Sequence, residues 1–199
     1  MEGKTGPEGL ILAAGSSTRA GAFKPALPVG GMPMVCRCLE GMRAVCDRVV
    51  VVGGYRCETL RGLVGGHPGV EIVENREWQR GMFVSLKAGV ARMRGGEFFV
   101  LPVDVPLVPP SVYLRLLQTE GPAVTPEVEG RRGHPVLIRQ CLIREILSEP
   151  DESSLRAVLR RAGAVSVRVD SREILRDIDT PEEYRGVAGW PDGADSSQC

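Results

Sequence analysis

The 199-residue chain balances 25 Lys and Arg against 25 Asp and Glu, for a formal charge of zero, and 43% of it is hydrophobic. That balance argues against nucleic acid as a partner, because binding a phosphate backbone leaves a basic surplus. No apolar run approaches the roughly 18 residues of a membrane span, and the opening MEGKTGPEG holds no apolar signal core; the expected compartment is the cytoplasm, with no membrane partner.

In chain order, a strand-like run at Leu10–Ala13 leads into a loop rich in glycine, serine and basic residues. A helix is predicted over Met34–Val45, after a proline, then strands at Val49–Val52 and Val70–Val73. Apolar residues at helical spacing predict a helix over Val84–Met93, followed by a strand at Phe98–Leu101 and a helix over Val112–Leu117. Strands at Ala123–Thr125 and Val136–Ile138 precede a helix over Leu155–Leu159 that Gly163 is placed to end. Several strand runs are continuously apolar, as in strands covered on both faces, whereas Val165–Val169 alternates and belongs nearer an edge. The alternation predicts a three-layer α/β fold with a mostly parallel sheet.

Near the end, Thr180 reads as a helix N-cap, with Pro181 in the first turn and Glu183 completing a capping box. One domain over 1–189 is expected, with the polar, turn-rich segment 190–199 as a flexible tail. The six cysteines, at 36, 38, 46, 57, 141 and 199, have no zinc-type spacing and read as buried or incidental thiols.

The segment LAAGSSTRAGAFK, residues 12–24, follows the carboxyl end of the first strand, where ligands bind in open α/β sheets. Gly15 and Gly21 let backbone N–H groups approach an anion, and Arg19 and Lys24 add positive charge, so the loop reads as a polyphosphate cradle. Its spacing is neither that of a P-loop nor that of a dinucleotide fingerprint. Asp104, in FFVLPVDVP, stands at the end of a buried strand. It is suited to hold a divalent ion, with Mg2+ the natural choice because it binds through one or two carboxylates plus substrate phosphates. Asp177 and Asp179, in RDIDTPEEY, form a second acidic pair. Gly81 and Ser85 bracket a helix start whose N–H groups could meet a phosphate or ribose.

These residues carry a resemblance. Leu12 to Lys24, followed by PALPVGG, resembles the nucleotidyltransferase signature L-A-A-G-x-S-x-R-M-G-x-x-K, with Ala20 in place of methionine. Within that superfamily the chain resembles the MobA-like NTP transferases, and most of all the molybdenum cofactor cytidylyltransferases. The likeness implies a Rossmann-like nucleotide-diphospho-sugar transferase fold. It also implies that Leu12, Ala13, Ala14, Gly15 and Ser16 approach base and ribose, that Arg19, Gly21 and Lys24 hold the triphosphate, and that Asp104 and Asp179 are the metal ligands. The stretch from Asn75 to Leu86 is similar to N-x-x-W-x-x-G-M-x-S-S-L, with Val84 in place of its first serine; Trp78 reads as packing. In RRGHPVLI, His134 and Pro135 match a G-[HN]-P-V motif that the resemblance places at the acceptor pocket, where His134 makes a hydrogen bond instead of transferring a proton. Arg131 and Arg132 fit either an acceptor phosphate or a solvated loop, and His67 reads as a turn residue.

What this implies is transfer of NMP, CMP from CTP, to the phosphate of molybdopterin, releasing pyrophosphate. Arg19, Lys24 and Asp104 are the catalytic residues, Mg2+ is the cofactor with Mn2+ the alternative, and a molybdoenzyme is a further partner. The other readings are a sugar- or polyol-phosphate nucleotidylyltransferase, a guanylyl enzyme, a nucleotide-sugar glycosyltransferase drawn from Asp177-Ile-Asp179, and a non-catalytic molybdopterin-binding accessory.

Overall fold

A computed structural model describes residues 6–16, 23–179 and 183–184. Strand β1 (Glu8–Ala13) is followed by a 3-10 turn at Lys24–Ala26 and a small hairpin of β2 (Pro28–Val29) and β3 (Met32–Pro33). Then come α1 (Met34–Arg43), β4 (Arg48–Gly53), α2 (Cys57–Val64), β5 (Val70–Glu74) and α3 (Met82–Val90). The second half runs β6 (Glu97–Pro102), α4 (Pro110–Leu117), β7 (Ala123–Val128), β8 (Arg131–Arg132), β9 (Val136–Arg139), α5 (Ile143–Ser148), α6 (Leu155–Arg161) and β10 (Val165–Arg168).

The main sheet has the order β10-β7-β9-β6-β1-β4-β5, with β8 paired to β7. The β1–β4, β1–β6, β4–β5 and β7–β10 pairs are parallel, and β9 runs against both β6 and β7. The expected mostly parallel mixed sheet is present, and β10 sits at its edge as the alternation required. Valine dictates the centre. Val49–Val52 of β4 are all fully buried, each worth roughly 1.5–3 kcal/mol relative to exposure, and their branched side chains suit a strand covered on both faces.

Two apolar layers flank the sheet. One packs Met34, Leu39 and Met42 of α1, Leu60 of α2 and Tyr113 of α4 against Ile11 and Val51; the other packs Phe83, Leu86 and Val90 of α3, Ile146 of α5 and Val158 of α6 against Leu10 and Val50. The chain leaves β1 by α1 on one face and enters β6 by α3 on the other, so the strand order switches at β1. Its carboxyl edge is therefore where a crevice opens. The opposite edge is closed by Glu8, which binds Arg48 and accepts from the N–H groups of Arg94 at 2.6 Å and Gly95 at 2.5 Å.

Some boundaries differ from expectation. Helix α3 starts at Met82 instead of Val84, because Gly81 adopts φ 115° as its N-cap, and α1 ends at Arg43, two residues early. Helices α2 and α5 were not expected. The capping-box positions Thr180 and Pro181 and the expected tail at 190–199 lie outside the described residues. Glu183 reaches back to the N–H of Asp179 at 2.9 Å. The five cysteines described are free thiols, and among the described residues no helix is long and apolar enough to cross a membrane.

Candidate active site

The parallel register places Ala13 opposite Gly53 and Leu12 opposite Pro102, so the segments leaving β1, β4 and β6 emerge side by side. Ala13 and Ala14 are buried, while Gly15 is exposed and Ser16 half-buried. A cavity of about 310 Å³ opens here, with Ala14, Gly15 and Ser16 on one side and Trp78, Gly81 and Ser85 on the other. Arg19 and Gly21 lie outside the described residues. Ser85 is buried, and its hydroxyl accepts from the Asn75 amide at 2.9 Å. Trp78 packs on the core layer of α3 and meets the Tyr55 ring at 5.8 Å, while also lining the cavity. Val84 is buried.

Lys24, the first residue of the 3-10 turn, is buried, and its ammonium joins two carboxylates from distant parts of the chain. It pairs with Asp179 and lies 3.8 Å from Asp104 Oδ2. Asp104 follows β6 in a turn, and its carbonyl accepts from the Ile178 N–H at 2.8 Å, which brings the segment carrying Asp179 to the strand end. Burial pushes the Asp104 carboxyl above its ordinary value; Lys24 pulls it back, and Asp179 and Asp177 raise it again. Asp177 is exposed. Its carboxyl is raised by partial burial and then by Asp179 and Glu183, against Lys24 and Arg131. Of the acidic pair, Asp179 is the member that meets Lys24. Two carboxylates converging on one cation fit a divalent ion whose remaining ligands are phosphate and water. No closed group of three or more His, Cys, Asp and Glu ligands occurs among the described residues.

A second cavity of about 420 Å³ adjoins the first and shares Leu12, Gly81 and Met82 with it. Its floor is apolar, with Phe83, Leu86 and Val100, and His134 lies in its wall. Pro135, joined to His134 by a cis peptide, is buried. Nδ1 of His134 is sealed from solvent and makes no hydrogen bond, and burial lowers the imidazole from 6.5 to about 4, against a smaller opposing contribution from the Val100 backbone. The ring is neutral at physiological pH, which suits hydrogen bonding and not proton transfer. The sign for stability follows directly. Between pH 6.5 and about 4 the unfolded chain holds a proton that the folded chain refuses, so stability falls as pH drops through that window. Measured by urea unfolding, the wild type is expected to lose up to about 3 kcal/mol more than His134→Asn on acidification from pH 7 to 4. Equal losses would disprove the assignment.

Several residues of this edge gave no sequence signal. Tyr55 donates its N–H to the Ala14 carbonyl at 3.2 Å and its ring contacts Phe23 at 6.2 Å. Asp151, in the turn before α6, is held by Lys87 at 2.8 Å and Arg80 at 2.5 Å, forming one rim of the larger cavity. Arg131 and Arg132 are exposed on β8, and His67 occupies a turn.

A family model described as the MobA-like NTP transferase domain matches residues 9–167. The chain belongs to the MobA-like NTP transferase family. As a member of it, the protein is a nucleotidyltransferase, and the relatives agree. It is 27% identical over 177 residues to the molybdenum cofactor cytidylyltransferase of Escherichia coli strain K12, covering 88% of this chain and 92% of that one. Among solved structures, a nucleotidyl transferase from Methanothermobacter superposes with a TM-score of 0.80 at 20% identity, covering 92% of this chain and 96% of that one. Rv0371c of Mycobacterium tuberculosis H37Rv, solved as a manganese complex, gives 0.76 at 21% identity and covers 92% of this chain and 98% of that one. The family match ends before Asp177 and Asp179.

Proposed function

We propose that this MobA-like transferase moves CMP from CTP to the phosphate of a molybdopterin-type acceptor and releases pyrophosphate, using Mg2+ or, in its place, Mn2+. The observation that carries the reading is the meeting of Lys24, Asp104 and Asp179 beside the open end of β1. The name of the E. coli relative supports the nucleotide and the acceptor, and the manganese complex of the mycobacterial protein supports the ion.

The backbone from Leu12 to Ser16 borders base and ribose in the smaller cavity, and Gly81 and Met82 at the start of α3 line the same space. Lys24 and Arg19 hold the triphosphate. Asp104 and Asp179 hold the ion, which when bound offsets the repulsion between the two phosphates and the charge on departing pyrophosphate. The acceptor occupies the larger cavity, with neutral His134 supplying a hydrogen bond. One oxygen of its phosphate attacks the α-phosphorus, and the bond from that phosphorus to the α–β bridging oxygen breaks, leaving pyrophosphate with the electron pair. The attacking oxygen is already ionised near neutral pH, so positioning and electrostatics supply the catalysis and no base is needed.

Calorimetric titration with CTP, GTP, UTP and ATP, each with and without Mg2+, tests the reading. CTP is expected to bind most tightly, and more tightly with Mg2+. A preference for GTP would move the protein to guanylyl chemistry, and no triphosphate binding at all would overturn the enzymatic assignment of this site.

A further inference from the structure

Lys24 is read above as a triphosphate ligand, and its ammonium also lies against two carboxylates. It pairs with Asp179, lies 3.8 Å from Asp104, and has only 10% of its side chain exposed. Three facts fix this arrangement. Lys24 opens a 3-10 turn held by the Leu27 N–H to Lys24 carbonyl bond at 3.0 Å; Asp104 stands at the end of β6; and the Ile178 N–H bond to the Asp104 carbonyl holds the third partner in place. A pair of carboxylates partly withdrawn from water repels itself unless a cation lies between them, and Lys24 supplies that cation.

We propose that Lys24 is a built-in counter-cation for the divalent-ion site: it occupies the position between Asp104 and Asp179 in the nucleotide-free protein and vacates it when metal arrives. This rests on the assignment of those two aspartates as metal ligands. A free divalent ion must displace a covalently tethered ammonium, so the site is weak toward metal alone. An incoming triphosphate offers Lys24 an alternative anion and frees the carboxylates in the same step. Lys24 thus couples nucleotide to metal, and the coupling is reciprocal.

The test is Mn2+ binding without nucleotide, followed by electron paramagnetic resonance, in the wild type, Lys24→Met, Asp104→Asn and the double variant. The expected result is Mn2+ binding about tenfold tighter in Lys24→Met than in the wild type, with the gain lost in the double variant. Lys24→Gln, which keeps a hydrogen-bond donor, gives the same comparison if the methionine variant does not fold. Unchanged or weaker Mn2+ binding on removal of the ammonium would overturn the proposal. In that case, sensitivity of wild-type binding to Asp104→Asn would leave the metal assignment standing, and insensitivity would remove it as well.

Discussion

Asp104→Ala is expected to lower turnover by about a thousandfold, the scale on which removal of one directly acting electrostatic group is felt, while leaving the fold in place. The side chain contributes charge to the edge of β6, but the bond that docks the C-terminal segment uses the Asp104 carbonyl, which alanine retains. Lys24 keeps its partner Asp179 in the variant. Pyrophosphate release measured beside a circular-dichroism melt separates the two properties. Turnover within about threefold of the wild type would remove Asp104 from the site, whereas loss of the cooperative melt would assign it a structural task.

Gly133→Ala is expected to act in the opposite order, on stability first and on the site as a consequence. A Cβ at Gly133 would lie 2.2 Å from the Ile174 carbonyl oxygen and 2.7 Å from its carbon. Both are backbone atoms, so no side chain can swing aside. Relief requires breaking the Gly133 N–H bond to Pro126 at 3.0 Å or the His134 N–H bond to Ile174 at 2.9 Å. Overpacking of this kind costs about 1–3 kcal/mol, or roughly 2–12 °C in melting temperature for a chain of this size. Because Ile174 leads to Ile178 and Asp179, metal-dependent nucleotide binding should weaken as well. Gly96→Ala, where an added Cβ meets nothing within 4 Å, is the control and should stay within about 0.5 kcal/mol of the wild type. Equal melting temperatures for the two variants would show that the Gly133–Ile174 contact yields easily.

The central strands were legible because valine-rich runs such as Val49–Val52 are buried on both faces, and a continuous apolar run bounded by turns announces itself, whereas β10 at the edge was legible from its alternation. Asp104 was legible as a polar residue interrupting such a run. Helix α2 was not, for its N-cap is Arg56 in the left-handed region at φ 52°, with no capping side chain, and Gly62 interrupts it. The reversal of β9 was hidden for another reason: the apolar character of Val136–Ile138 carries no information about strand direction. Lys24 was read for its charge alone, and its pairing with Asp179 spans 155 residues, a separation that no local pattern encodes. His134 was found through its motif, but its neutrality depends on the walls of a cavity drawn from four other parts of the chain.

The strap that carries Asp179 has a consequence for the life of the polypeptide. It joins the rest of the molecule at Gly133–His134, at Asp104 and at Lys24, after the central strands, both helical layers and two thirds of the site have already been made. A chain emerging amino end first can therefore pair its central strands while Ile174 and Ile178 of the core layer beside α1, and the third member of the site, are still to come. The carboxylate that completes the acidic pair is thus made after the strands it docks beside, so on the proposed assignment a polypeptide interrupted before Ile174 is expected to hold no divalent ion.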